Sequence, residues 1–290
     1  MQLFANLTSA APDPGGFARD CEGAGFDGVT CSDHLWLRSA FPHLWVSLAV
    51  MAAATDRVTV APSFANNLFR SPVEFVQASM TMQRVSGGRF EAGLGAGWTE
   101  SEMVATGRVY PDGRTRARQY REALMIVRQL LETGSCSFEG EHYSMTVPPV
   151  FEVLADPPPL VASVGSPWTM RNITPLVDRV ELKFGRTTRG GALDLVALAS
   201  VTRDELASMV AIVRGVAPDI PIGLFTLVGV GDQATVGGLA ETLGANLCGS
   251  FVGEPQRVLD NLRSLQDLGI DRVQITELVP GSTARLAAAL

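Results

Sequence analysis

The sequence predicts an α/β fold, a TIM-type (β/α)8 barrel with a small hairpin insertion, and three observations carry that prediction. Short runs rich in Val, Ile, Leu and Phe alternate along the chain with longer segments of helical spacing. These runs lack apolar–polar alternation, which is typical of parallel strands covered on both faces. Roughly eight such units fit the length of a closed barrel, commonly about 250 residues before insertions. An open, doubly wound sheet is the alternative.

The elements of the first half follow from these patterns and from end signals. A glycine, Gly25, ends the first helix, and Ser71 with Pro72 opens the third helix as N-cap and first-turn residue. The predicted strands of this half cover residues 2–7, 26–32, 57–63 and 88–97. The predicted helices after the first cover residues 42–54, 71–86 and 115–133.

The second half begins with a segment that does not follow the alternation of strands and helices. Residues 135–145 alternate with period two and predict a small hairpin outside the barrel. The remaining strands are predicted over residues 160–165, 179–184, 221–230 and 271–276, and the remaining helices over 202–216, 235–244 and 253–269. No shift in composition marks a boundary, so we expect one domain over residues 1–290.

Composition narrows the function classes. The chain is 46% hydrophobic and 18% charged, with a formal net charge of −7. An acidic balance of this kind disfavours nucleic acid or an anionic membrane as a partner. The four cysteines are scattered, the start lacks the basic and apolar parts of a signal peptide, and no run is long enough to span a bilayer. We therefore expect a cytoplasmic protein with no membrane contact.

An acid–imidazole–indole group follows the second predicted strand. Asp33, His34 and Trp36 lie directly after that strand, in a loop that leads to the next helix. The loops at the carboxyl ends of barrel strands build the site in enzymes of this fold. The alternative for so short a motif is a helix cap with a histidine that packs beside it.

A glycine run follows the fourth predicted strand. Gly93, Gly95 and Gly97 do not form a dinucleotide fingerprint, because the sixth position after the first glycine is Trp98 and the run lies in the fourth unit. Glycines at a strand end leave room for a flat ligand to lie against the backbone. Close packing of a helix against the strand explains the same glycines equally well.

Two further stretches suit an anionic ligand. The turn from Val164 to Trp168 follows the fifth main strand, and its backbone amides suit a phosphate, although an ordinary turn explains it too. Lys183, Arg186 and Arg189 follow the sixth strand and form a basic cluster in an acidic chain; a solvated loop is the alternative.

Several chemistries are disfavoured. The three histidines show no metal-ligand spacing, so no metal is expected. There is no GxSxG elbow and no cysteine in a nucleophile context, so acyl transfer is not expected.

These motifs together resemble the luciferase-like flavin- and deazaflavin-dependent oxidoreductases. The resemblance runs through residues 22–35, 57–107 and 253–275, and its most specific part is Arg70 and Pro72, then Ser86–Arg89, then the glycine run with Trp98. It implies a single barrel that binds a tricyclic ring at the carboxyl ends of the strands. Trp98 stands where some deazaflavin-dependent sugar-phosphate dehydrogenases of this family have a glutamate.

The resemblance also implies roles for individual residues. Asp33 and His34 match a pair beside the ring, with His34 as the proton donor or acceptor and Asp33 as its orienting or ring-binding partner. Trp36 and Trp98 are expected to wall the substrate pocket. The expected cofactor-binding residues besides the pair come from three other strand ends: Ser63 and Phe64, which fall where the family carries a non-proline cis peptide; Gly95, Ala96 and Gly97; and Val164, Gly165 and Ser166, which match its phosphate turn.

The function implied is hydride transfer between coenzyme F420, an 8-hydroxy-5-deazaflavin, and a small organic substrate. A monooxygenase that uses reduced FMN, supplied by a separate reductase as partner, is the first alternative. A barrel that binds a flavin without turning over is the second alternative. A homodimer is the expected assembly.

Overall fold

The parallel strands form a closed barrel, and each strand position around the barrel is called a stave here. In this computed structural model, residues 1–7, 13–36, 39–191 and 193–290 are described, with the side chains of 189–191 left aside. The parallel strands in chain order are β1 Gln2–Leu7, β2 Gly28–Cys31, β3 Thr59–Pro62, β4 Ala65–Asn66, β5 Ala92–Gly95, β8 Leu160–Val164, β9 Arg179–Leu182, β10 Ile222–Val230, β11 Val252–Gly253 and β12 Arg272–Glu277. Between β5 and β8, β6 Cys136–Glu139 and β7 Ser144–Val147 form the separate antiparallel hairpin that the sequence predicts.

Strand order follows chain order around the ring. The pairing path runs β3–β2–β1–β12–β10–β9–β8–β5–β4, with β11 added beside β10. Because only Ser63 and Phe64 separate β3 from β4, these two strands are parts of one stave. The pairing of β4 with β5, together with a bridge from Val60 to Phe90, closes the ring. The eight staves confirm the predicted barrel and exclude the open sheet.

Helices cover the outside of the ring. Their bounds are α1 Pro14–Ala24, α2 Leu44–Ala53, α3 Pro72–Val85, α4 Glu100–Ala105, α5 Gly113–Thr133, α6 Pro167–Ile173, α7 Leu195–Ala199, α8 Arg203–Arg214, α9 Gln233–Leu243, α10 Pro255–Arg263 and α11 Ser282–Ala287. The predicted end signals are present: Gly25 caps α1 with φ of 94°, and the Ser71 hydroxyl accepts the amide of Glu74 at the start of α3. Short 3-10 turns at 174–176, 185–191, 249–251 and 264–268 complete the connections.

The amino-terminal end of the barrel is closed by an ion-pair cluster. Arg272, on β12, donates to both carboxylate oxygens of Glu91 at 2.6 and 2.7 Å, and its Nη1 lies 3.4 Å from an oxygen of Glu181. The guanidinium also lies 4.0 Å from the centre of the Phe4 ring. Because buried charges are tolerated only when paired, this cluster forms a filled floor, and any open site must lie above it.

Candidate active site

A cavity of about 430 Å³ opens at the carboxyl ends of the strands. This is the end at which barrel enzymes carry their sites, and the volume lies within the range of small-molecule pockets, about 300–1,000 Å³. The cavity brings together eight of the residues predicted from the sequence: Asp33, His34, Ser63, Phe64, Gly95, Ala96, Gly97 and Trp98.

Asp33 is held by a cation and a backbone amide. Its side chain forms an ion pair with Arg70, and its Oδ2 accepts the amide of Asn66 at 2.7 Å. Asn66 belongs to β4, so Asp33 joins the end of β2 to the stave that follows the cis peptide between Ser63 and Phe64. Asp33 faces the cavity while its charge is compensated inside the protein. Its predicted contact with a cofactor stays a prediction.

His34 is oriented by Glu102, a residue that the sequence analysis missed. The Nδ1 atom of His34 lies 2.8 Å from Oε2 of Glu102. Glu102 lies on α4, and its side chain is 0% exposed. The other carboxylate oxygen accepts the backbone amides of Leu35 and Trp36. One buried carboxylate therefore holds both the loop after β2 and the imidazole that it carries.

The charge of Glu102 decides which imidazole nitrogen faces the ligand. Burial opposes ionisation of Glu102, but the hydrogen bond and charge of His34 and the two loop amides outweigh it and lower its pKa. An ionised carboxylate only accepts hydrogen bonds, so Nδ1 of His34 carries the proton. This leaves Nε2, which bonds to none of the described residues, as the nitrogen that can exchange a proton with a ligand.

Aromatic rings surround the imidazole. The rings of Phe41 and Trp98 meet His34 edge-on, with centroids 5.6 and 5.4 Å away. Both residues line the cavity. Trp36, predicted beside them, is not among the cavity-lining residues; its backbone amide donates a hydrogen bond to Oε1 of Glu102. Phe41 and Trp98 line this part of the cavity, and the substrate-pocket role of Trp36 and Trp98 stays a prediction.

The glycine run is explained first by close packing. A Cβ on Gly93 would lie 2.5 Å from the carbonyl oxygen of Pro62, and one on Gly97 would lie 2.4 Å from Oδ1 of Asn66. Gly97 also has φ of 83°, and Thr99 adopts φ of 79°, rare for a β-branched residue. The run therefore lets the stave of β3 and β4 approach β5, and at Gly95 and Gly97 it lines the cavity as well.

The predicted phosphate turn lies outside the cavity lining. Ser166 caps α6, and the amides of both Gly165 and Ser166 donate to Oγ1 of Thr169 at 3.2 and 3.0 Å. Val164 is a buried residue of β8. These amides are already paired within the turn, so a phosphate would have to replace Thr169. The phosphate-binding role of these three residues stays a prediction.

The basic residues after β9 do not point the same way. Lys183 lines the cavity, with its Nζ 4.8 Å from the ring centre of Phe64 and 4.5 Å from that of Phe225. Arg186 faces away and pairs with Glu205, and the side chain of Arg189 lies outside the described residues. Burial lowers the pKa of Lys183 to about 8, against the attraction of Glu181.

One further observation, an unpaired buried hydroxyl, indicates that the cavity binds a polar ligand. The hydroxyl of Ser63, beside the cis peptide, is buried at the cavity wall and has no hydrogen-bond partner among the described residues. Buried hydroxyls are normally paired, so an unpaired one at a cavity wall indicates a position for a ligand's polar edge. Aromatic walls and unpaired polar groups together suit a flat, heteroatom-rich ring.

Metal binding and membrane crossing are two properties that the sequence disfavours. Within the described ranges, no cluster of three or more His, Cys, Asp or Glu side chains is arranged to hold a metal ion. None of the described helices has the length and apolar character that crossing a bilayer requires.

Fold and cavity together define a (β/α)8 barrel with a site at the carboxyl ends of its strands. The profile of the luciferase-like monooxygenase family matches residues 8–184, a span that contains Asp33, His34 and the glycine run. The chain belongs to the luciferase-like monooxygenase family.

Curated relatives match about half of the chain. One is an F420-dependent glucose-6-phosphate dehydrogenase of Amycolatopsis mediterranei, 28% identical over 156 residues, which are 52% of this chain and 47% of the relative. Another, of the same name from Intrasporangium calvum, is 32% identical over 158 residues, with the same coverage of 52% and 47%. The chain thus spans about half the length of these relatives.

Solved structures match the whole barrel. Monooxygenase RslO1 from Streptomyces bottropensis superposes with a TM-score of 0.77 at 16% identity, covering 100% of this chain and 98% of that one. An F420-dependent secondary alcohol dehydrogenase, solved with an F420–acetone adduct, superposes with a TM-score of 0.73 at 18% identity and the same coverage. Likeness at this level of identity establishes the fold.

Proposed function

We propose that the chain is an oxidoreductase that transfers a hydride between coenzyme F420 and a small organic substrate. The observation that carries the proposal is the His34–Glu102 pair, which presents an imidazole to an apolar cavity in a chain whose curated relatives are named F420-dependent dehydrogenases. A barrel that only bound a ring would have no need of an imidazole held by a fully buried carboxylate.

The residues of β2 to β5 form the proposed cofactor side. Ser63 and Phe64 would back the ring, with the unpaired hydroxyl of Ser63 free for a polar atom at its edge. Gly95 and Gly97 have no side chains, so the neighbouring wall leaves space for a flat group. When bound there, the deazaflavin supplies a carbon centre that gives or accepts a hydride.

His34 is the proposed catalytic acid–base group. Its Nδ1 is engaged by Glu102, so Nε2 is the nitrogen that takes up the proton from the substrate oxygen, or releases it there. The hydride is exchanged at the carbon that carries this oxygen. Glu102 acts on His34 and not on the substrate, so it is a positioning residue. Phe41 and Trp98 shield this proton transfer from water.

The direct test is turnover of wild type and His34→Ala. Oxidised F420 is offered with secondary alcohols and hydroxy acids, and reduced F420 with ketones, aldehydes and activated alkenes, while the deazaflavin absorbance is followed. We expect His34→Ala to lower turnover at least about 100-fold, the usual size of a general acid–base contribution. His43→Ala is the matched control, because His43 is exposed and makes no side-chain cap.

Two results would count against the proposal. Full turnover by a folded His34→Ala variant would remove the imidazole from the mechanism. Tight F420 binding by wild type without any redox change across these compounds would favour a non-catalytic barrel.

A further inference from the structure

Lys183 is the only lysine in the chain, beside 22 arginines. A chain that places arginine at every other cationic position has one ammonium group, and that group lies in the cavity. Arginine is the residue of choice for fixed ion pairs, whereas lysine is a compact point charge on a flexible stem. Chain composition alone marks this residue as different from the surface cations.

The ammonium of Lys183 has no counter-ion among the described residues. Its contacts are the rings of Phe64 and Phe225, at 4.8 and 4.5 Å. Although cation–π contacts of this kind offset part of the cost of desolvation, a buried charge without a carboxylate partner is costly. A ligand anion would remove that cost.

The carboxylates nearby are already engaged. Asp33 pairs with Arg70. Glu277, at the cavity edge, accepts the amides of Gly281 and Thr283. Glu181, one layer deeper, pairs with Arg272 of the floor cluster through Oε1; its Oε2 has no partner among the described residues, and it forms no salt bridge with Lys183 there. The cavity therefore holds one uncompensated cation and no uncommitted carboxylate among the residues that the structure describes.

Lys183 lies where the proposed cofactor wall meets the rest of the cavity. That wall comes from the strand ends of β2 to β5, whereas Lys183 follows β9 and Phe225 lies on β10. The ammonium contacts Phe64 of the wall as well as Phe225, so it borders the space next to the cofactor. The lining at β9 and β10 also includes Phe184 and Leu227, so it is largely apolar around the one charge.

We propose that Lys183 recognises the substrate, and that the substrate is a small, apolar or aromatic molecule that carries a carboxylate. One ammonium matches a monoanion; a phosphate dianion would call for further cations, and no arginine lines the described part of the cavity. The carboxylate would anchor the molecule at Lys183 while the rest packs against Phe225 and the cofactor. This assignment rests on the proposed function, because the substrate must pack against the cofactor ring that Phe64 is proposed to back.

Because the chain has a single lysine, one resonance reports on the site. Protein labelled with ¹³C,¹⁵N-lysine is titrated with benzoate, and with benzamide as the neutral molecule of the same shape, while the side-chain signal of Lys183 is followed by NMR. The titrations are made both without cofactor and with F420 bound. Binding constants for wild type, Lys183→Met, Lys183→Arg and Arg171→Gln are measured by calorimetry.

We expect benzoate to shift the Lys183 signal saturably and to bind Lys183→Met at least about tenfold more weakly than wild type, the loss that one charge-assisted contact represents. Lys183→Arg should keep part of the affinity, and benzamide should bind wild type and Lys183→Met equally. Arg171 is exposed on α6, so Arg171→Gln should bind benzoate as wild type does.

Equal affinity of wild type and Lys183→Met for benzoate would overturn the assignment. Loss of F420 binding in Lys183→Met would also overturn it, because the amine would then belong to the cofactor. Failure of wild type to bind F420 would contradict the proposed function instead, and the titration without cofactor would still decide whether Lys183 binds a carboxylate.

Discussion

At the scale of single residues, the proposed acid–base chemistry depends on how Glu102 holds His34. A fully buried carboxylate accepts from one imidazole nitrogen and two backbone amides. Hydrogen bonds to a charged group contribute about 1.5–3 kcal/mol each, more than neutral ones. The same contacts that stabilise the loop after β2 therefore fix the orientation and tautomer of the proposed acid–base group.

Replacing Glu102 should change both stability and its dependence on pH. The pKa of Glu102 is lowered in the folded protein, so its contribution is fully present above its unfolded pKa, about 4.3, and is lost as the pH falls through its folded value. We expect Glu102→Gln to lower the free energy of unfolding by about 1.5–3 kcal/mol at pH 7. The gap to wild type should narrow near pH 4, as measured by urea unfolding at both pH values.

The control for this measurement lies on the same helix. Glu100→Gln changes the same charge at an exposed position of α4 and should leave stability nearly unchanged. If Glu102→Gln differed from wild type by the same amount at both pH values, ionised Glu102 would not be the source of the stability.

The sequence predicted His34 because histidine directly follows an apolar strand run, a position that the barrel turns toward the site. Glu102 could not be predicted in the same way. It lies 68 residues further on, in a six-residue helix too short to show periodicity, beside the exposed acid Glu100. The unique lysine was visible in the sequence, but its inward orientation depends on strand register, which composition does not reveal.

At the scale of elements, the site is shaped by how closely the stave of β3 and β4 approaches β5. The carbonyl of Pro62 lies where a Cβ of Gly93 would be, and the Asn66 side chain lies against Gly97. The same stave supplies Ser63 and Phe64 to the cavity. Glycine in β5 therefore sets the position of the proposed cofactor wall.

A methyl group on Gly93 should separate these two strands. In Gly93→Ala the new Cβ would lie 2.5 Å from a backbone oxygen, which cannot rotate away as a side chain can. We expect a loss of about 1–3 kcal/mol in the free energy of unfolding, the usual cost of overpacking, measured by guanidinium denaturation. Gly23→Ala is the matched control: its Cβ meets nothing within 4 Å in helix α1, and it should be neutral or stabilising by up to about 1 kcal/mol.

An equal or smaller loss in Gly93→Ala than in the control would show that β3 and β5 tolerate separation, and that close packing does not explain the glycine.

The observed bounds of helices and strands show where the hydrophobic pattern of the sequence was enough to predict them. The first strand is observed as predicted, over Gln2–Leu7, and the last differs by one residue at each end. The fourth predicted strand, 88–97, is observed only over Ala92–Gly95; Gly88 before it and Gly97 after it have φ of 87° and 83°, outside the strand region. Short helices such as α4 and α6 were not predicted, since six or seven residues carry too little periodicity.

At the scale of the whole molecule, the two ends of the barrel differ in electrostatics. The amino end is filled by Arg272, which pairs with Glu91 and lies beside Glu181, whose pKa burial raises to about 7. The carboxyl end is open and keeps groups that have no partner in the described part of the chain: the Nε2 of His34, the hydroxyl of Ser63 and the ammonium of Lys183. Uncompensated polar groups around an apolar space are what a bound ring and its substrate would satisfy.

The most direct measurement is a fluorescence titration of the cofactor-free protein with F420 and, separately, with FMN. We expect saturable quenching by F420 at micromolar concentrations, about −8 kcal/mol of binding free energy, and FMN binding at least about tenfold weaker. Tighter binding of FMN than of F420 would contradict the assignment of F420 as cofactor and would make the oxygen-using monooxygenase the better description of this barrel.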